Sequence, residues 1–122
     1  LQEKRMDDLI ELYHIKDFEK SLFYYYEGGE QPNFPDDYKM VATIKKSDVP
    51  DTLDVPGAQL EWIWIATNTV ESVWFETFPG TVIGGSHRST SVGDVAIIDG
   101  EPYVCLPMGW QKLSEFKPPV RR

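Results

Sequence analysis

The chain has 122 residues, of which 41% are hydrophobic and 13% aromatic, with a formal net charge of -8 and a single cysteine. That length and apolar content fit one folded domain over residues 1–122 and exclude a disordered chain. No run approaches the ~20 apolar residues of a membrane helix, and the opening LQEKRMDDLIEL lacks the apolar stretch of a secretory signal, so the expected location is the cytoplasm.

In chain order, residues 1–9 are polar and read as a flexible lead-in. Residues 10–15 alternate as a first strand, with Ile10, Leu12 and His14 on one face and Tyr13 and Ile15 on the other. Phe18, Leu22 and Tyr25 recur at helical spacing over residues 17–26, with Asp17 as N-cap and Gly28 and Gly29 as the stop. Residues 30–37 hold two prolines and the Asp36-Asp37 pair, which makes them a loop. Residues 38–45 then alternate as a second strand with Met40, Ala42 and Ile44 on one side, able to pair with the first.

Residues 47–57 are turn chemistry. Residues 58–67, AQLEWIWIAT, are apolar nearly all round and closed by Asn68; a buried helix is the first reading, although Trp62 and Trp64 against Ile63 and Ile65 also suit a buried strand. Residues 70–78 read as a strand or irregular aromatic segment, and residues 79–86 as a flexible glycine-containing connection. Residues 95–98 form a β-branched strand, Asp99-Gly100 is the pair that tight hairpins favour, and residues 103–106 return. Residues 110–113 add a short third strand, and residues 117–122 form a basic, proline-containing flexible end. The expected fold class is therefore α+β, a small antiparallel sheet with a C-terminal β-hairpin module packed by one or two short helices.

Charge is distributed unevenly. Residues 47–111 hold nine carboxylates, Asp48, Asp51, Asp54, Glu61, Glu71, Glu76, Asp94, Asp99 and Glu101, against the single cation Arg88. Such a field repels phosphate backbones and favours cationic protein surfaces, which argues against direct nucleic-acid binding. Solubility alone is the bland explanation of the same charge. Asp48, Asp51, Asp54 and Glu61 are the candidate partner-binding carboxylates. Three consecutive tyrosines cannot all face inward from a helix, which makes Tyr24 or Tyr26 the candidate aromatic contact.

Chemistry-bearing groups are sparse. His87, Ser89, Ser91 and Asp94 offer the residue types of a Ser-His-Asp hydrolase, but Ser, Thr, Gly and Asp ahead of a strand more often shape a turn. Lys112 lies at the far end of the module from these serines. His14 and His87 are distant in sequence and neither has a second ligand at i, i+4, so no metal is expected, and no cofactor. Gly84 and Gly85 belong to no phosphate-binding pattern, Asp36 and Asp37 read as a solvated turn pair, and Cys105 reads as a packed strand residue.

The segment RSTSVGDV at residues 88–95, with Tyr103 and the closing GWQKL at residues 109–113, resembles a group of small uncharacterised proteins from phages, plasmids and other bacterial mobile elements that share R-S-x-S-V-G-D-V, a hairpin and G-[FW]-x-x-L. Ala66-Thr67-Asn68, Trp74 and, more loosely, Tyr13-His14 extend the resemblance to about half the chain. It brings no catalytic residues: Arg88, Ser89, Ser91, Gly93 and Asp94 read as a structural turn that marks the group. The resemblance implies an accessory protein that binds a host protein with a basic surface, as an inhibitor of a defence nuclease or of the transcription machinery through nucleic-acid-like charge. Other readings are a nucleic-acid-associated module using Arg88, Lys117, Arg121 and Arg122, and a small hydrolase built on His87, Ser89, Ser91 and Asp94.

Overall fold

The structure is a computed structural model, and it describes residues 9–19, 24, 32–50, 55–68 and 73–117. Strands β1 (Leu9–Ile15) and β2 (Tyr38–Lys45) are followed by a short 3-10 turn at Lys46–Asp48 and by helix α1 (Pro56–Thr67). Then come a single helical turn, α2 (Trp74–Thr77), and strands β3 (Thr81–Val82), β4 (Val95–Ile98), β5 (Glu101–Leu106) and β6 (Gly109–Lys112), ending in a 3-10 turn at Leu113–Glu115. The six strands make one sheet in the order β3-β2-β1-β4-β5-β6, every neighbouring pair antiparallel. The fold is α+β, as the sequence indicates.

Both faces of the sheet are covered. On one, Ile10, Leu12, Ala42, Ile44, Ala96 and Ile98 pack under Leu60 and Ile63 of α1 and under Trp74 and Phe78. On the other, Ile15, Tyr38, Val95 and Val104 cluster with Tyr24 and Val92, and Phe34, Leu113 and Phe116 pack at the margin. The alternation of β1 is therefore as read: Ile10, Leu12 and His14 are all 1% exposed on the α1 side, while Tyr13 and Ile15 belong to the opposite cluster. His14 is thus fully inside.

Strand β2 departs from simple alternation. Leu12 pairs with Ala42 but Tyr13 pairs with Met40, so Val41 is an extra residue, a β-bulge. Because one added residue reverses the facing of everything beyond it, Met40 leaves the row of Ala42 and Ile44 and lies opposite Tyr13 on the other face.

Residues 58–67 form a helix. Pro56 occupies its first turn, where the fixed φ is already helical and no N–H is needed, and Asn68 ends it with its N–H donated to the Trp64 carbonyl. The buried Gln59, Leu60, Ile63 and Thr67 recur at helical spacing, and burying Leu60 and Ile63 contributes roughly 1.5–3 kcal/mol each. Among the described residues ahead of Phe78 there is no strand: Trp74, 1% exposed, anchors the helical turn α2 instead. Nor is the glycine-containing connection merely a linker, because Thr81 and Val82 form β3 on the edge of β2. Gly80 makes that approach sterically feasible, since a Cβ there would lie 2.2 Å from the Thr43 carbonyl oxygen.

The hairpin is as the sequence specifies. Asp99 (φ 55°) and Gly100 (φ 78°) both take positive φ, the requirement of a type I′ turn, and set Ile98 opposite Glu101 and Val95 opposite Val104. A second two-residue loop pairs Leu106 with Gly109 and starts β6. Of the helix expected over residues 17–26, Asp17 stands just ahead of the helical Phe18 and Glu19, Tyr24 is helical, and residues 20–23, 25 and 26 lie outside the described residues. Asp36 and Asp37 stand in the loop before β2, where the Asp37 carboxylate accepts the Asn33 N–H at 2.7 Å, the turn role expected of them.

Candidate functional site

The RSTSVGDV segment folds around one buried carboxylate. Asp94 has no exposed surface and accepts four N–H groups: Arg88 binds both oxygens, at 2.7 and 2.8 Å, while the backbone N–H of Ile15 reaches Oδ1 at 2.9 Å and that of Ser91 reaches Oδ2 at 2.7 Å. Burial pushes the carboxyl pKa upward, and the Arg88 guanidinium and the two backbone donors oppose that push. With donors on both oxygens and a bidentate cation alongside, the group is held as a carboxylate. Gly93 has φ 97°, and its N–H reaches the Cys105 carbonyl at 2.8 Å, tying the turn to β5. Arg88 also donates to the carbonyls of Ser89 and Ile15 and lies 4.7 Å above the Phe18 ring. Arg88, Ser91, Gly93 and Asp94 thus build the turn and fasten it to β1 and β5, and Ser89 takes part through its carbonyl. Arg88 is thereby committed to Asp94, which removes the central cation of the nucleic-acid reading.

Beside this ion pair lies a hydrogen-bonded chain that sequence reasoning missed. Thr67 Oγ1 is 2.7 Å from the Ile63 carbonyl and 2.8 Å from Thr90 Oγ1, and Thr90 Oγ1 is 3.0 Å from His14 Nε2. A carbonyl only accepts, so the single hydroxyl proton of Thr67 goes to Ile63; Thr90 then donates to Thr67 and accepts from His14. That assigns the His14 proton to Nε2. The same logic places the His87 proton on Nε2, which donates to the Ile83 carbonyl. Nδ1 of both rings is buried without a hydrogen-bond partner. Burial, followed by the charge of Arg88 and then His87 and Lys39, pushes the pKa of His14 down to about 2, so the ring is neutral. The signal lay in the sequence as Thr67-Asn68 and Thr90: Asn68 Nδ2 donates to the Thr90 carbonyl at 2.6 Å, and the Thr90 N–H to the Thr67 carbonyl at 3.0 Å. Trp74 Nε1 adds a bond to the Arg88 carbonyl at 2.8 Å.

The hydrolase residues are neighbours in sequence but differently engaged: Asp94 is bonded to Arg88, Ile15 and Ser91, while His87 is bonded to Ile83 and stacked on Trp74. Cys105 is buried, and burial, followed by the charges of Asp94 and Glu61, pushes its thiol up to about 12, far from a reactive thiolate. Among the described residues no group of three or more His, Cys, Asp and Glu side chains is placed to hold a metal, and no helix is long and apolar enough to cross a membrane.

Comparison of the chain with protein-family models, with curated proteins and with solved structures gives no match. Functional inference accordingly rests on the surface.

That surface separates the remaining sequence candidates. Asp48 and Glu61 are exposed, as is Glu76, and none of the three makes an ion pair among the described residues. Asp99 is exposed but paired with Lys46. Tyr24 is not an exposed contact: it is 5% exposed and packs edge-on against Phe116, because the sheet face opposite α1 needs covering. Tyr26, Asp51 and Asp54 lie outside the described residues. Periodicity did not single out the outer side of α1, where Ile65 is 63% exposed beside Glu61 and the half-buried Trp64; Val55 at the helix entrance is 54% exposed.

Proposed function

We propose that the protein acts by binding another protein whose contact surface is basic. The observation that carries this reading is the fate of Arg88. It is the only cation in residues 47–111, and Asp94 holds it, so the exposed Asp48, Glu61 and Glu76 face solvent without a counter-charge from their own segment. A one-sign surface beside exposed apolar side chains steers and then holds a partner of opposite sign. The resemblance to mobile-element proteins supplies a setting: the partner is a host protein, and the basic groove of a defence nuclease or of the transcription machinery has the required charge. On this reading the protein is an inhibitor that occupies such a groove in place of nucleic acid, and the RSTSVGDV turn is the scaffold behind it.

Affinity capture from bacterial lysate, with the wild type beside a variant carrying Asp48→Lys, Asp51→Lys, Asp54→Lys and Glu61→Lys, tests the proposal. The expected result is one or a few basic proteins retained at low salt, released by added salt and absent with the variant. An identical captured set from both proteins contradicts it.

A further inference from the structure

Helix α1 is apolar on more sides than the sheet can bury. Its inner residues Leu60 and Ile63 face the core, and Trp62 and Ala66 pack along the margin of the same cluster. A helix that is apolar all round is normally enclosed on all sides. Here the outward positions, Gly57, Glu61 and Ile65, are exposed and stand four residues apart along one stripe, with Trp64 half-buried beside them. Positions four apart form the ridges by which helices pack on one another. A side chain added at Gly57 would meet nothing within 4 Å, so the stripe is open at this end.

We propose that this outer stripe of α1 docks an amphipathic helix of the basic partner, with apolar side chains against Ile65 and Trp64 and a Lys or Arg opposite Glu61. The inference rests on the reading of an anionic docking surface and adds the shape of what is bound. Charge complementarity selects the occupant. A second copy of this chain would set Glu61 stripes of two molecules of charge -8 against each other, whereas a basic helix neutralises Glu61 while covering the apolar positions. At 1.5 Å per residue α1 offers a track of about 18 Å, matching roughly three turns of a partner helix.

Three labelled peptides of equal positive charge provide the test, titrated by fluorescence anisotropy at low salt: a leucine-lysine amphipathic helix, the same composition scrambled so that no apolar face forms, and oligolysine. The amphipathic helix should bind at least tenfold more tightly than the scrambled peptide. Ile65→Ser should abolish that preference while leaving oligolysine affinity and thermal stability unchanged. Met108→Ser, at a 96% exposed position on the loop before β6, should change nothing. Equal affinity for all three peptides, or a preference that survives Ile65→Ser, overturns the helix-docking inference and leaves the anionic surface standing. Failure of every peptide to bind overturns both. Sedimentation showing a dimer that Ile65→Ser dissociates assigns the stripe to a second copy and also overturns the inference.

Discussion

Asp94 has more to lose than any other polar side chain described, because four N–H groups converge on its buried carboxylate. Truncation to alanine leaves the Arg88 guanidinium and the N–H groups of Ile15 and Ser91 without their acceptor. Breaking one side of a buried pair costs on the order of 3–5 kcal/mol, so Asp94→Ala should lower the urea midpoint sharply, while Ser86→Ala on the exposed loop should barely move it. A wild-type midpoint for Asp94→Ala would show that the pair is not structural. His14 gives a pH signature. Its value of about 2 in the fold lies below the ordinary 6.5, so below pH ~6.5 the unfolded chain takes up a proton that the native state refuses. Stability from this group is complete above that pH and declines as pH falls, by about 1.4 kcal/mol per pH unit. Denaturation at about pH 7, 6 and 5 should show that slope in the wild type and a shallower one in His14→Gln; equal slopes would place the ring in solvent.

At the scale of elements, the junction between α2 and β3 turns on one atom's worth of space. Gly80→Ala would put a Cβ within 2.2 Å of the Thr43 carbonyl and 2.8 Å of Ile44 Cβ, backbone and strand atoms that cannot swing aside. The expected outcome is loss of β3 pairing, seen as accelerated amide exchange at Ile83, whose N–H is bonded to Val41, with a stability loss of roughly 1–3 kcal/mol. Unchanged exchange at Ile83 would contradict this. The β1 alternation, the Asp-Gly turn and helix α1 were legible because each is specified locally, by period, by turn residues or by Pro56 and Asn68 at the boundaries. The Val41 bulge, the two-residue β3 and the α2 turn were not, since each exists only through a partner elsewhere in the chain: Tyr13 for the bulge, Thr43 for β3, and the core around Trp74 for α2. The same limit applied to the site. Asp94 could be read as a turn residue, but its pairing with Arg88, and the chain from Thr67 through Thr90 to His14, are tertiary. Of the two candidate tyrosines Tyr24 is buried and Tyr26 lies outside the described residues; helix geometry requires one of three adjacent tyrosines to be exposed without indicating which.

For the whole molecule, the sheet divides the labour. The RSTSVGDV turn, the hairpin and β1 are locked together by the Asp94 cluster, whereas the exposed Asp48, Glu61 and Glu76 and the outer stripe of α1 take no part in it and are, on the proposed function, the recognition surface. Association steered by such a surface should weaken steeply with ionic strength, and a partner affinity independent of salt would point to apolar contact alone. Carboxyl footprinting of the protein with its captured partner tests the account most directly, because it reads each Asp and Glu separately. The account predicts that Asp48, Asp51, Asp54 and Glu61 lose reactivity on binding while Asp36 and Glu115 keep theirs; protection of Asp36 and Glu115 with Asp48 and Glu61 still reactive would contradict it.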